Sequence, residues 1–173
     1  MKNKHLLLVQ NNLEANSLQR KIARTLSWSD TSIVSYNLPL LSRLSVCENI
    51  MLPLNYSEKM SIKQTEPVVK DLLSKFGMEQ TLHYRQKRLN DYEVLIVKFL
   101  RAIMRCPKHV VFIMPYNMIP SEDYAGFTLF ADTLKDFDVT IIEHENFANY
   151  YIETSFTEIS QEKWETLVLE TSK

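Results

Sequence analysis

Glycine is nearly absent from this chain: Gly77 and Gly126 are the only two in 173 residues, where average usage would place roughly a dozen. Glycine reaches positive φ without strain and lets a backbone lie close against a ligand. A chain this poor in it is neither collagen-like nor glycine-rich and disordered, and it has little material for a phosphate-cradling loop. The hydrophobic content of 45% is too high for intrinsic disorder, and the length suits one domain with a core of useful size.

Twenty Lys and Arg against 21 Asp and Glu leave a net charge of −1, so the chain as a whole carries no electrostatic footprint for nucleic acid or an anionic membrane. Cys47 and Cys106 stand in no metal-ligand or redox spacing. With no signal-peptide pattern in residues 1–8, they are expected to be reduced cytoplasmic thiols. His5, His83, His109 and His144 show no metal-ligand spacing either, and no metal is expected. The longest apolar runs, such as residues 110–114, are far too short to span a bilayer, so work at a membrane would go through a partner.

Residues 5–9 form an apolar run of strand length, and Leu18, Ile22 and Leu26 fall at helical spacing within 13–26, with Asn11 or Asn12 as N-cap. A second strand is predicted at 31–36, and a short amphipathic piece at 46–52 that ends at Pro53. Val69, Leu72, Leu73 and Phe76 make one helical stripe, with Gly77 at the position of a left-handed C-cap. Residues 90–105 are apolar on most sides, which predicts a buried helix. Strands at 109–114 and 139–142 flank a helix marked by Phe127, Phe130, Ala131 and Leu134. Strands alternating with helices predict an α/β domain with a mostly parallel sheet, and the helical stretch 62–105 interrupts that alternation as a separate lobe.

From Leu44 onward, the strings LSVCENIMLPL, DLLSKFGMEQTLHYRQKRL and RAIMRCPKHVVFIMP resemble the nucleotide-binding subunit of an ATP-binding-cassette (ABC) transporter, closest to the lipid and lipoprotein transport branch. The resemblance runs from about residue 5 to 151. It implies a truncated P-loop NTPase-like core with a mostly parallel sheet, at about 1–43 and 107–160, an inserted helical lobe at about 44–106, and a C-terminal tail at 161–173. The family's N-terminal antiparallel strands have no counterpart here.

The resemblance keeps the frame while changing the chemistry. Gln10, Asn11, Asn12, Leu13, Glu14, Ala15, Asn16 and Ser17 lie where the family has its phosphate loop, with no glycine to wrap the backbone and no lysine at Asn16. Leu89, Asn90, Asp91, Tyr92 and Glu93 occupy the signature motif, and Arg101, Ala102, Ile103 and Pro107 follow in register. The magnesium-associated aspartate aligns with Ile113 and the catalytic glutamate with Met114, neither of which can hold a metal shell or orient water. The metal-linked glutamine falls on Tyr36, or on Asn37 with a one-residue shift. His144 matches the switch histidine and is expected to persist as a hydrogen-bonded residue at a strand end.

These positions imply a catalytically inactive subunit with no cofactor, acting as a structural or regulatory partner of a lipid-type transporter. It would be cytoplasmic, held at the inner membrane through a permease, and paired with an intact ATPase subunit or a second copy. Leu44, Val46, Asn49, Ile50, Leu52 and Leu54 are the expected partner contacts. Two alternatives stand beside this reading. One is a weak ATPase that binds ATP and Mg through unusual residues. The other is a pseudo-receiver signalling module, suggested by the strand and helix of KHLLLVQNNLEANSLQRKIARTL. Glu143, His144 and Glu145 could be drawn as an acid/base cluster, yet neighbours on a strand point to opposite faces. The run Arg85, Gln86, Lys87, Arg88 beside Tyr84 would by itself suggest nucleic acid or anionic lipid. Because the chain as a whole is not basic, it is expected to be a solvated helix–loop face.

Overall fold

A computed structural model describes residues 3–25, 30–57, 62–119, 130–134, 136–152 and 154–170. The chain divides into two compact units, Met1–Tyr36 with Pro107–Lys173, and Asn37–Cys106. The C-terminal segment belongs to the first unit.

The first unit is built on strands β1 (Lys4–Val9), β2 (Thr31–Ser35), β3 (His109–Ile113), β4 (Asp138–His144) and β5 (Thr157–Glu158). They form one sheet in the order β2-β3-β4-β1-β5, and every pairing is parallel. A receiver places β1 between β2 and β3, whereas here β1 lies between β4 and β5, so the receiver reading of the opening fails. Strand β5, two residues long, was not predicted. Helix α1 (Asn12–Thr25) turns Ala15, Leu18 and Ile22 onto one face of the sheet, against Leu7, Val9, Val111, Ile113 and Ile142. Leu26, Gly126 and Phe127 lie outside the described residues. On the opposite face Phe112 meets Phe130 edge to face, with ring centroids 5.1 Å apart.

The helical unit contains α2 (Val46–Ser57), α3 (Ile62–Ser74) and α4 (Asp91–Ile103). The prediction that Pro53 ends α2 is overturned: the helix runs through it to Ser57. Proline removes one N–H bond, and burial of Val46, Cys47, Ile50 and Met51 against the other helices outweighs that loss. Helix α3 ends in a Schellman cap. Gly77 has φ +64°, its N–H donates to Ser74 O, and the Met78 N–H donates to Leu73 O. In α4 every residue from Val94 to Leu100 is buried, Lys98 included. Desolvation and the neighbouring Arg101 push the Lys98 ammonium down to about 8.

The chain closes with α5 (Asn149–Ile152) and α6 (Gln161–Glu170). Trp164, 3% exposed, docks α6 on its own sheet and donates its indole N–H to Thr140 Oγ1 at 2.9 Å. No helix among the described residues is long and apolar enough to cross a membrane.

Candidate functional site

In an open parallel sheet, ligands bind beyond the carboxyl ends of the strands, where loops and helix N-termini converge. Here that edge is formed by the residues following Val9, Ser35, Ile113 and His144, since the register pairs Ser35 with Ile113, Ile113 with Ile142, and Val9 with His144.

After β1 the chain turns at once into α1. Asn11 Oδ1 accepts the Glu14 N–H at 3.0 Å, and Glu14 Oε2 accepts the Gln10 N–H at 2.9 Å. A carboxylate from the chain itself therefore sits at the positive end of the helix dipole. Residues 12–17 are helical. Asn16 is half-buried, with its carbonyl accepting Arg20 Nε–H at 3.3 Å. Ser17 faces outward with Arg20, Lys21 and Arg24.

The same closure recurs at α4. Asn90 Oδ1 accepts the Glu93 N–H at 2.8 Å, and Glu93 Oε2 accepts the Asn90 N–H at 2.9 Å. Helix α2 repeats it with Ser45 and Glu48. Three N-x-x-E or S-x-x-E spacings thus become capping boxes or a close variant of one.

Beyond β3, Ile113 is buried and Met114 adopts a left-handed conformation with φ +53°, a strained geometry for a residue with a side chain. Pro115 then opens a turn of 3-10 helix, Pro115–Met118. Tyr36, at the end of β2, is 58% exposed.

The centre of this edge is Glu143, which the sequence offers only as one of an acid/base trio and which the fold buries. Its carboxylate is fully buried and accepts three hydrogen bonds: the Tyr116 N–H at 2.9 Å, the His144 N–H at 2.9 Å and the Tyr151 hydroxyl at 3.1 Å. Desolvation pushes its carboxyl above the usual range, against the pull of those donors. Tyr151 is raised well above its ordinary value by burial and by the Glu143 charge. Tyr116 stacks on Phe147 at 3.9 Å and tilts against Tyr150 at 4.8 Å. Its hydrogen bond to Tyr150 and partial burial push its phenol up to about 12. His144 is half-buried and its Nδ1 accepts the Asn146 N–H at 3.1 Å, while Glu145 is exposed. The candidate acid/base trio is therefore dispersed: Glu143 is walled in, His144 binds backbone, and Glu145 faces water. Among the described residues, no three His, Cys, Asp or Glu side chains gather into a metal-binding group.

In the helical unit, Val46, Asn49 and Ile50 are buried, and Leu44, Leu52 and Leu54 are half-buried. The first three shape the surface from beneath; only the latter three retain area for a partner. Asn49 staples the segment before α2. Its Oδ1 accepts the Leu41 N–H at 2.8 Å, and its Nδ2 donates to the carbonyls of Leu41, Leu44 and Ser45 at 3.1, 3.3 and 2.9 Å.

No protein-family profile and no curated protein matches the chain. Solved structures do. It is similar to a dimeric structure of MJ0796, a bacterial ABC transporter cassette, with a TM-score of 0.69 at 14% identity over 92% of this chain and 82% of that one. A post-hydrolysis dimer of MJ0796 bound to ADP and Pi gives 0.66 at 14% identity, over 87% and 79%. The protein cbiO1 from Clostridium perfringens, part of the ABC transporter complex cbiONQ, gives 0.63 at 14% identity, over 83% and 68%. The fold is thus an ABC-ATPase-like, P-loop NTPase-like α/β core with a parallel sheet and an inserted helical unit.

Proposed function

We propose that this chain is a catalytically inactive ABC-ATPase-like subunit, a structural or regulatory partner of a lipid-type membrane transporter. The observation that carries the reading is the state of the sheet's carboxyl edge. Where this fold would meet a polyphosphate, the segment 12–17 is helix, and the Glu14 carboxylate already holds the Gln10 N–H. The donor set does not fit Mg-ATP. A carboxylate in the phosphate position repels anions, Ile113 and Met114 offer no metal ligand, and Glu143, the one buried carboxylate among the described residues, already accepts three protein donors. The helical unit keeps a half-buried apolar strip of Leu44, Leu52 and Leu54. Such a strip suits a permease contact that needs shape and apolar area rather than nucleotide chemistry.

Three measurements test the two halves of this reading. ATP with Mg²⁺ at a hundred times its dissociation constant would add about 2.7 kcal/mol of stability, and we expect no shift in melting temperature. A clear shift would overturn the loss of nucleotide binding, and release of phosphate from ATP above background would overturn inactivity. Affinity purification from the native host should bring down a permease, an intact ATPase subunit or both, and their absence would overturn the transporter role.

A further inference from the structure

Net charge is divided unevenly. The unit Asn37–Cys106 carries eleven Lys and Arg against seven Asp and Glu, whereas the rest of the chain carries nine against fourteen. The near-neutral total therefore hides a basic helical unit. Seven of its cations are exposed among the described residues, and four of them, Arg43, Arg85, Lys87 and Arg88, lie on two neighbouring segments and form no ion pair among the described residues. Two backbone contacts bring their segments side by side: Ser45 pairs with Arg85 in an antiparallel bridge, and the Val46 N–H donates to Tyr84 O at 2.8 Å. The adjoining turn, closed by the Leu44 N–H donating to Leu41 O at 3.0 Å, presents Leu41 at 47% exposure. Arg88 lies over the Tyr84 ring, 3.6 Å from its centroid, which holds its guanidinium beside an aromatic face. The nearby acids offset little of this charge. Glu48 and Glu93 are engaged in their helix caps, although Glu48 also faces Arg85, and Asp91 is the exposed one.

We propose that this face of the helical unit rests on an anionic phospholipid surface, with the four cations over the headgroups and Leu41 seated among them. An exposed leucine two residues from Arg43 gains from an acyl boundary and gains nothing from a nucleic-acid backbone. The acidic balance of the other unit also disfavours a long polyanion. The proposal stands whether or not the chain serves a transporter.

The test is co-sedimentation of the full chain with phosphatidylcholine vesicles, plain or doped with phosphatidylglycerol. Binding is expected on the doped vesicles alone, and it should weaken as salt rises. Each cation contributes about fivefold to partitioning, so the triple variant Arg85→Ala, Lys87→Ala, Arg88→Ala should lose roughly a hundredfold. Leu41→Ser should lose a smaller factor at unchanged salt dependence. If the triple variant melts early, Lys87→Glu, which alters one exposed side chain, decides instead. Equal binding to plain vesicles, no binding to doped ones, undiminished binding by the variants, or tighter binding to an RNA oligonucleotide would each overturn the proposal.

Discussion

The Tyr151 hydroxyl donates to Glu143 Oε2 at 3.1 Å, between a fully buried phenol and a fully buried carboxylate. With the Tyr116 and His144 N–H groups on the same carboxylate, this contact ties α5, β4 and the turn after β3 into one network. A buried carboxylate is tolerated only when its lone pairs are taken. At the edge of the sheet where this fold would otherwise expose reactive groups, the network is structural.

Tyr151→Phe keeps the ring and removes one donor from that carboxylate. It should cost about 1–3 kcal/mol, the range for a bond to a charged buried group. Chemical denaturation would measure this directly. Glu143→Gln should cost at least as much, because its amide would set N–H against N–H at one of the two backbone donors. In a double-mutant cycle the two losses should fall short of additive, since the residues share one bond.

The capping boxes give a second expectation. Asn90→Ala removes the acceptor for the Glu93 N–H while leaving the backbone N–H of residue 90 to the Glu93 carboxylate, which should cost about 0.5–2 kcal/mol. Hydrogen exchange should report it as faster exchange confined to the first turn of α4. A uniform rise across the helical unit would mean that the cap does more than close one helix end.

Much of this architecture is legible in the sequence, and the exceptions have physical causes. The apolar runs at β1, β3 and β4 and the Gly77 cap are local signals, written in consecutive residues. The boxes are local signals as well, in the spacings Asn11 to Glu14, Ser45 to Glu48 and Asn90 to Glu93. The buried network around Glu143 is not legible. Its partners Tyr116 and Tyr151 lie 27 and 8 positions away and come together only when β3 and β4 pair. The course of α2 through Pro53 was hidden as well, because proline's local cost is visible in the sequence and the burial that outweighs it is not.

Gly77 offers a clean test of backbone conformation, since a Cβ placed there meets nothing within 4 Å. Any loss in Gly77→Ala therefore reflects the left-handed φ alone, about 1 kcal/mol. Gly77→Asn should lose less, as asparagine tolerates that region better. Melting temperatures of the two variants give the ranking, and equal losses would contradict it.

Asn49 uses both ends of its amide on a single segment, with four hydrogen bonds to Leu41, Leu44 and Ser45. Asn49→Ala takes the side-chain partner from the Leu41 N–H and the Leu44 carbonyl, while the Leu41 and Ser45 carbonyls keep the Leu44 and Asn49 N–H groups, and should cost about 1–3 kcal/mol. Asn49→Asp is isosteric, yet it turns an amide donor toward three carbonyls into a carboxylate. It should be at least as damaging. Exchange protection at Leu41 should collapse in both variants, well before global unfolding.

His109 sets the acid limb of the stability profile. Its Nε2 lies 2.9 Å from Thr140 Oγ1, which also receives the Trp164 indole N–H, so a neutral ring can accept the threonine hydroxyl. Burial holds the imidazole down to about 4; His5 adds to that and Asp138 opposes it. His5 is itself lowered, by desolvation and Lys163, with Asp138 again opposing. Between an unfolded value near 6.5 and this folded value, the unfolded chain binds a proton that the native chain does not. Stability is therefore full above pH 6.5 and falls as pH drops toward 4, by on the order of 3 kcal/mol for this group. Denaturation midpoints measured across that window should fall more shallowly in His109→Gln than in the natural sequence. A residual slope should remain from His5 and the carboxylates, and identical slopes in the two proteins would show that His109 takes no part.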